Sequence, residues 1–74
     1  MEKEKIARLE DSFNWFSYIV ELHKDEREKK EGSVCWMARL QISVKILGYA
    51  FIEKGMRERK GIKYPEYGLV EINK

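Results

Sequence analysis

The segment KGMRERKGIK, residues 54–63, carries five basic side chains, Lys54, Arg57, Arg59, Lys60 and Lys63, against one acid, Glu58. Cations in such a run can contact phosphates, which makes them candidate nucleic-acid contacts. Two features weigh against that chemistry. The aromatic residues mostly sit on packing stripes and are not interleaved with these cations. Basic residues ahead of a glycine, here Gly61, also complete a helix C-terminus, where they offset its dipole.

Other reactive residues are sparse. One histidine, His23, and one cysteine, Cys35, cannot make a structural zinc site of the usual kind. His23 falls on an apolar helical seam, with no partner to make it a base. Cys35 follows Val34 at the start of an expected helix, where a thiol pKa can be lowered. With no basic group beside it, it reads as a quiet, partly buried thiol. Glu10 and Asp11 are adjacent and so diverge on a helix. There is no glycine-rich phosphate loop and no nucleophile elbow. No catalytic, cofactor-binding or metal residue is assigned. The chain reads as non-enzymatic, without cofactor or small-molecule substrate.

Seventy-four residues make one domain, 1–74, near the lower limit for an independent core. A chain this small usually needs a disulfide, a metal or a partner. A lone cysteine leaves oligomerisation. The charged fraction is 38% but nearly balanced, with 15 basic and 13 acidic residues. No stretch approaches the ~20 apolar residues of a membrane span. The charged start, MEKEKIARLED, is unlike a signal peptide. A free thiol without an export signal suggests a cytoplasmic setting.

Residues 2–30 contain neither glycine nor proline. Ile6, Leu9, Phe13, Phe16, Val20 and His23 are spaced 3, 4, 3, 4, 3, the seam of a helix packed on another. Glu2 and Glu4 at its start and Lys29 and Lys30 at its end complement the dipole. Gly32 suits a helix stop and Ser33 the next N-cap. The following stretch, VCWMARLQISVKIL, is ambiguous. From Arg39 to Ile46 polar and apolar residues alternate, as on a strand, yet Met37, Leu40, Val44 and Leu47 keep the helical period. With the cap at Ser33 and the basic end before Gly61, the helical reading predicts a second helix over 33–60. Folding the chain about residue 32 then sets Phe13 opposite Phe51 and Val20 opposite Val44.

The expected fold is therefore all-α: an antiparallel hairpin of helices 2–30 and 33–60, each about 42 Å long, with an extended tail over 61–74. The alternative is a small α/β fold with strands at 38–46 and 67–72 and a helix at 48–60. Both helices carry a second apolar side, which a homodimeric four-helix bundle would bury. Its expected interface is Ile42, Ile46 and Tyr49 with Trp15, Ile19 and Leu22. In the tail, Tyr64, Tyr67 and Leu69 either cap the open end of the core or dock a partner. The leading expectation is a small regulatory or accessory protein, of a size that fits a bacterium, archaeon or phage. It would bind itself and a larger protein, but no membrane. A nucleic-acid-binding dimer using residues 54–63 is the alternative.

Overall fold

The computed structural model describes residues 2–72, with the side chain of Glu2 outside the description. Two helices come first, α1 (Glu2–Leu22) and α2 (Arg27–Ile46), then two strands, β1 (Tyr49–Arg59) and β2 (Ile62–Glu71). The strands form one antiparallel sheet.

The all-α hairpin, and with it the four-helix bundle, is overturned. The first helix breaks at His23–Glu26, not at Gly32. His23 Nδ1 lies 3.1 Å from a Glu26 carboxylate oxygen across that turn, and the same carboxylate reaches Lys29 at 3.4 Å. Gly32 and Ser33, read as stop and cap, lie inside α2. The second helix stops at Ile46, because Gly48 takes a φ of 90°. That left-handed position suits a glycine just past a helix end. The amides of Leu47 and Gly48 donate to the carbonyls of Val44 and Lys45, closing the last turn.

Beyond it the expected helix 33–60 becomes β1. A helix there would hold two interior glycines, Gly48 and Gly55, at about 1 kcal/mol each. Tyr49, Phe51 and Ile52 instead favour a pleated strand. Lys60 and Gly61 have φ values of 52° and 80°, the two left-handed residues of a type I′ turn. That turn returns the chain into β2, so the segment read as an extended tail is a strand. Its last two residues, 73 and 74, lie outside the described residues.

The α/β alternative has the right class but misplaces two of its elements. Its strand at 67–72 overlaps β2, whereas its strand at 38–46 lies in α2 and its helix at 48–60 in β1. Burial explains the first misplacement. On a strand, Leu40, Ile42, Val44 and Ile46 would share a face. Here Val44 is 1% exposed while Ile42 and Ile46 are 61% and 80% exposed, as on a helix.

The core is small. Phe13, Tyr18, Val44 and Tyr64 are its buried apolar side chains. Phe13 stacks on Phe51 with ring centroids 3.8 Å apart and meets Tyr67 edge-on at 5.0 Å. The Phe13–Phe51 juxtaposition matches the pairing expected from the folded-back chain, but joins a helix to a strand.

Helix α1 lies along the edge of β2 that β1 does not cover. Asn14 Oδ1 accepts from the Tyr67 amide at 2.7 Å, and Asn14 Nδ2 donates to the Tyr67 carbonyl at 3.0 Å. A Glu10 carboxylate oxygen accepts from the Leu69 amide at 2.7 Å, and Ser17 Oγ donates to the Pro65 carbonyl at 2.9 Å. Positions 10, 14 and 17 share one helix face. Positions 65, 67 and 69 alternate along the strand, so their backbone groups point to one side. Three polar side chains thus stand in for a third strand.

Candidate functional site

An open cleft lies between α1 and the sheet face that carries Tyr64. Asp11, Trp15 and Tyr18 of α1 line it, with Arg57 and Arg59 of β1 and Tyr64 and Glu66 of β2; its volume is about 520 Å3. Arg57 and Tyr64 are register partners, as are Arg59 and Ile62, so the two arginines share a face with Tyr64. Arg57 Nε lies 3.4 Å from a Glu66 carboxylate oxygen. The Arg59 guanidinium sits 5.3 Å from the Trp15 ring centroid and 5.6 Å from that of Tyr18, within cation–π range. Among the described residues no carboxylate pairs with Arg59. Trp15 is 48% exposed.

This assembly changes how the five cations read. Sequence order separates them from the aromatic residues, but folding sets Arg59 on Trp15 and Tyr18. The cations do not share one track. Lys54 sits at a β-bulge, between the pairs Glu53–Tyr67 and Gly55–Glu66, and its methylene stem crosses Gly68. Lys63 pairs in register with Glu58, on the opposite side of the sheet from Arg57. Lys60 occupies the turn. Arg57 meets Glu66 across the strands.

The other expected site residues separate into groups. Ile42 and Ile46 are exposed one turn apart on α2, whereas Tyr49 on β1 lies against Ile6 and Leu9 of α1. Trp15, Ile19 and Leu22 lie on α1, with Trp15 in the cleft. Tyr64, Tyr67 and Leu69 lie on β2 against α1: Tyr64 is buried, and the backbones of the other two are bonded to Asn14 and Glu10. Burial, followed by the carboxylates of Glu53 and Glu21, raises the Tyr67 phenol above its ordinary 10.0. Cys35 is exposed, on the third turn of α2, so neither the helix-start position nor the partial burial expected for it holds.

Sequence reasoning missed Glu10, Asn14 and Ser17. Each is polar and off the apolar seam, and only their 4, 3 spacing on one face signalled a shared partner.

Among the described residues no helix is long and apolar enough to cross a membrane. Nor do three or more His, Cys, Asp or Glu side chains converge as a metal site requires. Comparison with family models, curated proteins and solved structures finds no match.

Proposed function

We propose that the chain is a non-enzymatic protein-binding module that receives an acidic, aromatic-bearing peptide segment of a larger protein in the Trp15–Arg59 cleft. The observation that carries this reading is Arg59 held over Trp15 and Tyr18 without an acidic partner. Trp, Tyr and Arg are the residue types that dominate binding hot spots. Rigid aromatic rings give large contact area at low entropy cost. A guanidinium resting on rings is preorganised for a bidentate carboxylate. The mixed lining, two arginines with Asp11 and Glu66, favours one acidic side chain among neutral neighbours over a polyanion.

Calorimetric titration with a short peptide carrying one Glu between Phe residues in a neutral background tests this. The peptide binds, and Trp15→Ala or Arg59→Ala each weakens binding about tenfold or more, with far-UV circular dichroism unchanged. A peptide with Lys in place of Glu does not bind. Equal binding by the variants, or no binding at all, overturns the proposal. Binding of oligouridine that falls steeply with salt assigns the cleft to nucleic acid instead.

A further inference from the structure

The two edges of the sheet are treated differently. That of β2 is covered by α1, whereas among the described residues no strand or helix side chain bonds to that of β1. Register shows which β1 groups face outward. The backbones of Tyr67 and Leu69 point to α1, so those of their partners Glu53 and Phe51 point away from β2. Tyr49, opposite Glu71, has the same parity. Beyond Glu53 the Lys54 bulge interrupts the strand, and bulges blunt an edge against further pairing. The usable edge is therefore Tyr49–Glu53, a strand of ordinary length.

The molecule is also too open for its mass. A compact 8.9 kDa monomer exposes about 4,800 Å2, while this chain exposes 5821 Å2. Its radius of gyration is 12.7 Å, against about 11.3 Å for a compact chain of this length. The excess, about 1,000 Å2, is close to one partner's share of a standard interface. Large apolar side chains flank the open edge. Ile42 borders Ala50 and Phe51, Ile46 borders Gly48 and Ile72, and Ile52 on β1 itself is 47% exposed.

We infer that a second copy of this chain closes that edge, pairing antiparallel with Tyr49–Glu53 about a two-fold axis at Phe51, so that the two hairpins form one four-stranded sheet. This register is self-complementary. Phe51 faces Phe51 of the second copy, Tyr49 faces Glu53, and Ala50 faces Ile52. Every pair shares a sheet face, the outward amides and carbonyls bond, and no like charges meet within the ladder. Gly48 and the Lys54 bulge end it on both sides. The Ile42 and Ile46 side chains of the two copies are brought toward one another beside it. The inference is independent of the Trp15–Arg59 cleft.

Sedimentation equilibrium of the full chain at micromolar concentration should give twice 8.9 kDa. The double variant Ile42→Glu/Ile46→Glu, at positions exposed in the single chain, should weaken association on the order of 100-fold and keep its helical circular dichroism. Amide hydrogen exchange locates the contact: the Tyr49, Phe51 and Glu53 amides should be protected in the dimer and exposed on dilution. A monomer, a larger assembly, an unaffected double variant, or a dimer in which those three amides exchange freely would each overturn the inference.

Discussion

Asn14 holds both backbone groups of Tyr67 with one side-chain amide, accepting from its N–H at 2.7 Å and donating to its C=O at 3.0 Å. A neighbouring strand would offer those groups the same pair of bonds. Asn14→Ala leaves a partly buried donor and acceptor unpaired. We expect a loss of about 2 kcal/mol, read from urea unfolding. Ser12→Ala, at an exposed position two residues away in α1, should leave the midpoint unchanged.

The Tyr67 phenol gives the fold an alkaline limit. Burial, then Glu53 and Glu21, hold its folded pKa above the ordinary 10.0. The folded state therefore keeps a proton that the unfolded chain releases. The resulting stability is fully present below pH 10.0 and is lost as pH rises through the folded value. Melting temperature plotted against pH should fall above pH 10.0, and less steeply in Tyr67→Phe. Equal slopes would remove Tyr67 as the cause.

Gly32 distinguishes this fold from a hairpin turning at residues 31–33. It lies inside α2 with nothing within 4 Å of an added Cβ. Gly32→Ala should then stabilise the protein by about 0.5–1 kcal/mol. Were Gly32 a left-handed helix stop, the same substitution would lower the melting temperature.

The turn between the strands can be improved in one place and damaged in the other. Lys60 adopts a φ of 52°, which asparagine tolerates far better than lysine. Lys60→Asn should raise stability by about 0.5 kcal/mol. Gly61→Ala should cost about 1–2 kcal/mol, because its φ of 80° crowds a Cβ. Thermal melts of the two variants should move in opposite directions.

Local patterns revealed part of this architecture. The helical spacing of Met37, Leu40 and Val44 outweighed the alternation around them, and that segment is helical. The contact between Phe13 and Phe51 was expected only from a fold-back at residue 32 that the structure does not have. Chain ends of elements were harder to read, because a glycine marks a helix interior, a helix stop and a tight turn alike. Gly32 does the first, Gly48 the second and Gly61 the third, and only the φ values separate them. Strand β1 was hidden for a related reason. Its charged half, Glu53–Arg59, faces solvent throughout and so shows no apolar alternation, while its basic residues imitate a helix C-terminus. The cleft was beyond sequence reach, since Trp15 and Arg59 meet only once β2 has docked on α1.

The side-chain seam between α1 and β2 also orders events in time. Each hairpin closes locally, the β-hairpin in microseconds, but the seam joins residues 48 to 59 positions apart. Closing so long a loop carries an entropy cost that nothing repays until Glu10, Asn14 and Ser17 engage together. Docking of two preformed hairpins should therefore limit the folding rate, so Asn14→Ala slows refolding while Lys60→Asn barely changes it. On the ribosome, α1 is made first and the strand whose edge it covers comes last of the four elements, so Glu10, Asn14 and Ser17 wait without their β2 partners until that strand has emerged.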